Sequence, residues 1–351
     1  MPNEIQPKRD IRRLKPNELE KFFETHGDKT FRAKQVQEWL WKKSAKDFDQ
    51  MTNLSLVTRD LLKEHFTMNP IRVDNMQRSE DGTIKNAVTL SDGLIVESVL
   101  IPTDDRITAC VSSQVGCSLD CKFCATARLK RMRNLNADEI YDQVVAIRQQ
   151  SELFFNRPLT NIVFMGMGEP LLNYSNVISA IDKITSEQGL NMASKRITLS
   201  TVGIAKMIIK MADDGVKFNL AVSLHSAINE KRLAIMPITE SNPIEELGKA
   251  LQYWYKKTKR EVTYEYVVWE NVNDKKEDVL ALVKFCKLIP SKVNLIEYNT
   301  FDDVEFKQAS TKAVGMYQKL LEENGIVARI RKSRGKDIDA ACGQLANKEG
   351  R

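Results

Sequence analysis

Residues 108–127 read TACVSSQVGCSLDCKFCATA. A short apolar, β-branched run ends in Ser112, Ser113 and Gln114, then empties into a loop carrying Cys117, Cys121 and Cys124. The same order of strand, loop and helix recurs downstream. TNIVFMG (160–166), RITLSTV (196–202), FNLAVSLHS (218–226), EVTYEYVV (261–268) and KVNLIEYN (292–299) are strand candidates. Between them ADEIYDQVVAIRQQ, NVISAIDKITSEQG, IAKMIIKMADDG and EDVLALVKFCKLI carry helical periodicity. Apolar strands alternating with amphipathic helices predict a parallel sheet joined by right-handed crossovers. Six such units without a clear eighth predict an α/β fold, an open, partial (β/α)6 barrel. The candidate strands end in polar residues: Gly168-Glu169, Ser200-Thr201, Ser223 with His225, Glu265, and Asn294 with Asn299. Barrels of this kind build their active sites from the C-terminal strand ends, so one shared site is expected there.

Working outward, residues 69–100 alternate apolar and polar positions and are broken by Asp81-Gly82 and Asp92-Gly93, both hairpin signals. A short antiparallel β-meander is expected. Residues 1–68 read as a small N-terminal helical domain. FRAKQVQEWLWKK places Phe31, Val36, Leu40 and Trp41 near one face, and LSLVTRDLLKEHF repeats the period. This module either caps the barrel or grips a polyanion. The barrel core is assigned to 101–345, with 346–351 as a tail.

The 351 residues are 42% hydrophobic and 28% charged, enough for one large core and an accessory unit. No apolar run approaches the roughly 20 residues that span a bilayer, and the polar start MPNEIQPKRDIRRLK has no signal-peptide core. A cytoplasmic protein is expected. Net charge is only +6, but basic residues bunch at 122–133, 256–260 and 329–336. One run is a solvated face; three, one of them abutting the cysteines, favour a polyanion such as RNA.

Six cysteines in a chain this long do not make a disulfide scaffold. Cys117, Cys121 and Cys124 form C-x3-C-x2-C, which can wrap three corners of a cubane 4Fe-4S cluster and leave the fourth iron open. Zinc is the competitor, yet a structural zinc site wants four closed ligands. No second cysteine pair exists, and His26, His65 and His225 are remote in sequence.

C-x3-C-x2-C with Phe123 before the last cysteine resembles the radical-SAM superfamily, in which S-adenosylmethionine (SAM) chelates the open iron and is cleaved to a 5′-deoxyadenosyl radical. VSSQVGCSLDCKFCATA, MGMGEPLLN, LSTVG, VSLHSAINEKRLAIMPI, EYVVWENVND, VNLIEYN and RGKDIDAACGQL, in this order, are similar to the RlmN family. These are dual-specificity methyltransferases acting on adenosine C2 in 23S rRNA, at the peptidyl transferase centre, and in tRNA, 3′ of the anticodon. The resemblance covers nearly the whole chain and implies a radical-SAM barrel. It implies that Cys342 carries a methyl group, that Cys110 resolves the intermediate, and that Glu97 accepts the proton. Gly168, Glu169, Ser200, Ser223, Leu224, His225 and Asn299 match its SAM-binding positions, and Cys117, Cys121 and Cys124 its cluster ligands.

Adenine C2 is not nucleophilic, so the family's chemistry uses two SAM molecules. One methylates the Cys342 thiolate; the other generates the radical that activates the S-methyl group. Attack by Cys110 then leaves a Cys110–Cys342 disulfide that needs reduction. The implied partners are 23S rRNA, tRNA and an electron donor such as flavodoxin or ferredoxin, with a monomer expected. Relative to the family, RLKRMRNL is more basic than its usual glycine-containing loop, and EYNTF lacks a proline. Two other readings stand beside this one: a Cfr-like adenine-C8 methyltransferase conferring antibiotic resistance, and an RNA-binding iron–sulfur protein without catalysis. Pro170 in MGMGEPLLN and the RKSRGKD stretch favour the C2 branch. A pure binder would need neither Cys110 nor Cys342.

Overall fold

The computed structural model describes residues 8–301 and 306–347. The first seven residues of the helical region, 302–305 of the short acidic loop and 348–351 of the tail lie outside the described residues.

Ten strands form one sheet whose spatial order is the order of the chain. β1 (Arg72–Arg78), β2 (Ile84–Thr89), β3 (Ile95–Pro102) and β4 (Ile107–Cys110) make an antiparallel meander. From β4 every pairing is parallel, through β5 (Asn161–Phe164), β6 (Ile197–Thr201), β7 (Asn219–Ser223), β8 (Val262–Val267), β9 (Ser291–Ile296) and β10 (Val327–Arg331). The fold is the expected α/β one, with six strand–helix units followed by a further strand, β10. Its sequence, VARIR, alternates small or apolar residues with arginine. Read as charge, it passes for part of a basic run; read with period 2, it is an edge strand. The two expected hairpins turn at Gly82 and Gly93.

Parallel neighbours need long crossovers, and helices supply them. α4 (Ala137–Phe155) starts at an Asn136–Glu139 capping box and ends at Asn156 in the left-handed region. It buries Ile140, Val144 and Ile147 in the core, while its Tyr141 packs edge-on against Trp41, centroids 5.1 Å apart. α5 (Tyr174–Thr185), α6 (Ala205–Asp213), α7 (Asn229–Ile235) with α8 (Ile244–Thr258), α9 (Lys276–Cys286) and α10 (Thr311–Glu323) complete the connections. Cys286 is buried at the end of α9. The two edges of the sheet do not pair, but the β1–β2 turn reaches the segment after β10. Ser79 Oγ donates to Asp337 Oδ1 at 2.6 Å, and the Gly335 amide donates to Asp81 Oδ2 at 2.9 Å. No helix among the described residues is long and apolar enough to cross a membrane.

Near the start of the chain the first three helices, α1 (Pro16–Thr25), α2 (Phe31–Trp41) and α3 (Leu56–His65), pack together. Val36, Leu40 and Trp41 are buried as the periodicity predicts, whereas Phe31 is 46% exposed. Phe31 is the first residue of its helix, outside the packed turns, and lies under the Arg32 guanidinium. These helices are tied to the barrel by a buried ionic knot. The Arg12 guanidinium meets Asp142 at 2.7 Å, Asp10 at 3.1 Å and Asp138 at 3.3 Å, the last two almost fully buried. Asp138 and Asp142 lie on α4. Burial pushes both their carboxyls up despite Arg12. For Asp10 the Arg12 bonds outweigh burial and pull it down.

Arg12→Ala would leave Asp10 and Asp142 without a cationic partner and Asp138 with only the more exposed Arg13, 3.4 Å away. The expected cost is about 3–5 kcal/mol, the range for removing one partner of a buried ion pair. Urea unfolding of the variant against the unaltered chain measures it, and an unchanged midpoint would contradict the knot.

Candidate active site

Beyond β4 the chain is held by polar contacts before it reaches the cysteines. The Ser112 hydroxyl donates to the Glu97 carbonyl at 2.5 Å and accepts from the Met167 amide at 2.8 Å. Ser112, Ser113 and Gln114 are all buried. These residues, read as part of the mouth, brace the loops beneath it. Gly168 shows why the brace is tight: its φ is +93°, and a Cβ there would lie 2.5 Å from Gln114 Cβ. The Glu169 amide donates to Gln114 Oε1 at 2.8 Å, so the following carboxylate is aimed inward.

The cysteine loop is pinned from two sides. The Lys122 amide donates to the Ile235 carbonyl at 3.0 Å, and the Ala125 amide to the Gly343 carbonyl at 2.7 Å. Cys117, Cys121 and Cys124 line one cavity of about 170 Å³ at the C-terminal strand ends. Gly168, Glu169, Ser200, Ser223, His225, Asn299 and Cys342 line it too. Leu224 does not; its side chain is fully buried, leaving its backbone as the part near the site.

Burial sets the electrostatics. The Cys117 thiol is pushed up to about 11, and those of Cys121 and Cys124 are also raised by burial. Burial pushes Glu169 up to about 7, opposed by the Val202 and Leu171 amides that donate to it at 2.9 and 3.0 Å. His225 is pushed down to about 3 by burial and by the charge of Arg232. Its ring is therefore neutral, with Nδ1 accepting from the Val267 amide at 3.2 Å. The ring lies edge-on to Phe123, centroids 4.7 Å apart. Asn299 donates to the Cys342 carbonyl at 3.2 Å, while its own buried Oδ1 has no partner among the described residues.

These residues fit the group that the cysteine spacing implies. No three His, Cys, Asp or Glu side chains among the described residues are close enough to share one metal ion. A cubane gives each thiolate its own iron and so accepts ligands spread around a larger body. The neutral His225 ring and the apolar side chains of Phe123, Met236 and Val267 line the cavity beside the thiols, and the Asn299 oxygen and the Glu169 carboxylate offer acceptors to an ammonium or hydroxyl donor. SAM has both.

Cys110 stands elsewhere. It lines a second cavity of about 460 Å³ together with Thr108, Asn161, Thr198 and Thr263, from the N-terminal halves of their strands. The two cavities share Met165, Glu265, Ile296, Arg331 and Cys342. Cys342 thus faces both. All six cysteines are free thiols. Burial and the nearby Cys342 sulfur push Cys110 up to about 12, opposed by Arg331. Arg331 itself is held protonated chiefly by the charge of Cys342. Glu97 lies in neither cavity lining. It is 3% exposed, 3.6 Å from Lys85 Nζ, and its Oε2 accepts from the Ala346 and Asn347 amides at 2.8 and 3.2 Å.

The sequence reading missed Arg331, Lys85 and Arg232. Arg331 was visible only as charge; Lys85 sits on the meander among alternating residues; Arg232 had no signal. The basic runs are also partly spent on structure. Arg133 makes a two-pronged bond to Glu139 and pairs with Asp92, Arg334 bonds the Asp81 carbonyl, and Lys336 pairs with Glu297. The 256–260 run lies where α8 leads into β8, at the end of the barrel opposite the cysteines.

An open parallel barrel with three thiols at its C-terminal mouth defines a radical SAM enzyme. Residues 111–285 match the radical SAM superfamily, and the fold superposes on a radical SAM methyltransferase from Sphaerobacter thermophilus with a TM-score of 0.90. That pair shares 37% identity and covers 96% of this chain and 99% of the other. Residues 10–68 match the ribosomal RNA large subunit methyltransferase N-terminal domain. A probable dual-specificity RNA methyltransferase RlmN of Flavobacterium psychrophilum is 68% identical over 97% of this chain and 99% of its own length. One from Christiangramia forsetii is 66% identical over 97% of each. The chain belongs to the RlmN family, and the Cfr-like alternative is not favoured.

Because His225 is held neutral by burial, long-range proton–nitrogen spectra are expected to show its Nδ1 unprotonated and its shifts flat from pH 5 to 8. A midpoint inside that window would contradict the buried placement.

Proposed function

We propose that this chain methylates C2 of adenosine in 23S rRNA and in tRNA, carrying the methyl group on Cys342. The observation that carries the proposal is that Cys342 faces two cavities, with the three-thiol loop in one and Cys110 in the other. A carrier must meet a donor and an acceptor in turn, and this sulfur has access to both. When bound at Cys117, Cys121 and Cys124, a 4Fe-4S cluster supplies the electron that converts SAM into a hydrogen-abstracting radical.

The chain's own residues then divide the work. Gly168, Glu169, Ser200, Ser223, the Leu224 backbone, His225 and Asn299 hold SAM against the cysteine wall. Arg331 keeps a cation beside Cys342, whose sulfur first attacks the methyl carbon of SAM, with S-adenosylhomocysteine as the leaving group. Once the activated methyl carbon has bonded to adenine C2, Glu97 takes the C2 proton. Cys110 would then attack the Cys342 sulfur: the sulfur–carbon electron pair goes to the methylene carbon, which takes up a proton to become the methyl group, the odd electron left by radical addition is returned to the site that supplied it, and a Cys110–Cys342 disulfide remains for an external reductant. Glu97 reaches substrate only after the Ala346 and Asn347 amides release it, so RNA entry displaces this C-terminal segment. The larger cavity, lined by Arg106, Arg329 and Arg334, is the side that receives RNA.

The helical module ahead of residue 69 assists RNA binding, the meander carries Glu97, and the barrel with its C-terminal loop is the catalytic unit. Such an enzyme works in the cytoplasm, as a monomer, with a flavodoxin or ferredoxin as electron donor.

The test is anaerobic reconstitution with SAM, reductant and unmodified rRNA or tRNA, followed by mass spectrometry of the digested nucleosides. 2-Methyladenosine is expected; 8-methyladenosine would overturn the regiochemistry. Cys342→Ala is expected to bind RNA and to lose methylation altogether, and methylation that persists in it would overturn the carrier role. Glu97→Gln removes the general base and should slow product formation by roughly a hundredfold or more, read from single-turnover kinetics.

A further inference from the structure

Arg232 lies in α7 and is fully buried, 0% exposed. Its guanidinium spends its donors on neutral oxygens. Nε donates to the Leu224 carbonyl at 3.1 Å, Nη1 to Thr239 Oγ1 at 2.8 Å, and Nη2 to the carbonyls of Val202 at 2.5 Å and Ser223 at 3.4 Å. It forms no ion pair among the described residues. Arg12, the chain's other deeply buried arginine, has three carboxylates around it. Burial pulls Arg232 down to about 10, which still leaves it protonated at neutral pH. An isolated buried cation is among the costliest features a fold can carry, and removing water leaves only another charge to offset it.

The missing anion has an obvious place. α7 runs directly into the cysteine loop: the Lys122 amide donates to the Ile235 carbonyl, and Cys121 packs with Ile235 and Met236. Cys121 is also the thiol that feels the Arg232 charge. Three thiolates on a 4Fe-4S core form a net anion, and reduction adds one more negative charge.

We infer that Arg232 is the counter-charge of the iron–sulfur site, stabilising the cluster and more strongly its reduced form, so that it sets the reduction potential. This rests on the reading that Cys117, Cys121 and Cys124 hold a 4Fe-4S cluster. Arg232 is a positioning residue as well, because the carbonyls it holds belong to Val202, Ser223 and Leu224 at the mouth where SAM is expected. Its charge acts on the electron-transfer equilibrium and its hydrogen bonds act on the loops. The two roles separate by substitution.

The test uses full-length protein reconstituted anaerobically without SAM, its cluster followed by electron paramagnetic resonance during a redox titration. Iron and sulfide content of the unaltered protein checks the cluster itself; a chain that holds none refutes that reading and the inference with it, whereas a loaded chain whose potential ignores Arg232 overturns the inference alone. In Arg232→Met the equilibrium constant for cluster reduction is expected to fall at least tenfold, about 59 mV for one electron. Arg232→Lys, which keeps the charge and loses the fork of donors, should stay near the unaltered potential. The rise in melting temperature on cluster loading should also be smaller in Arg232→Met than in Arg232→Lys. Equal potentials and equal gains in all three proteins would overturn the inference. If Arg232→Met does not fold, Arg232→Gln takes its place as the charge-removing variant: a fall of about 59 mV or more that Arg232→Lys does not share supports the inference, and a potential equal to that of the unaltered protein overturns it.

Discussion

A parallel strand cannot be reached from its neighbour by a tight turn, and this architecture follows from that restriction. Each step from β4 to β10 must leave the sheet, cross it through a helix, and re-enter at the same end. The consequence is that seven strands deliver their C-terminal residues to one mouth. Residues as far apart in the chain as Cys117 and Asn299 line one cavity for this reason. The helices contribute the apolar burial that stabilises the barrel, and the loops are left free to carry polar chemistry. The antiparallel meander at the other edge obeys no such rule, and it carries Glu97 in from the side rather than from the mouth.

Cys342 is the exception to placement by the sheet. It belongs to a loop without regular structure, held by side-chain and backbone bonds to several elements. Thr126 Oγ1 donates to the Leu345 carbonyl at 2.7 Å, Gln344 Nε2 to the Thr300 carbonyl at 2.9 Å, and Asn299 to the Cys342 carbonyl. With Glu97 accepting from two further amides, the segment is stitched over both the cysteine loop and the meander. Each bond is individually modest, on the order of 1 kcal/mol. A carrier that must change partners during turnover is better served by several weak ties than by one strong one, because they can be exchanged singly.

Much of this was legible beforehand. Period-2 and period-3.6 patterns located the strands and most crossovers, and Asp-Gly pairs located both hairpins. Polar residues at strand ends pointed to a shared mouth because the parallel topology forces one. What escaped the sequence depends on pairing. VARIR was a charge run until its neighbour β9 made it a strand. Ser112, Ser113 and Gln114 resembled site residues because polarity alone does not distinguish a brace from a ligand. Arg232 was one arginine among many, and its isolation from any carboxylate is a property of three-dimensional surroundings. The cover over Glu97 belongs to residues some 250 positions away.

The sheet's order has a consequence for how the molecule is made. Because spatial order and chain order coincide, every strand pairs with one already synthesised, and no strand waits for a partner still inside the ribosome. The cysteine loop follows the first parallel strand, whereas Gly343 and Leu345, which bond to it, follow β10; the seam over the thiols is therefore made from chain that comes after the whole barrel.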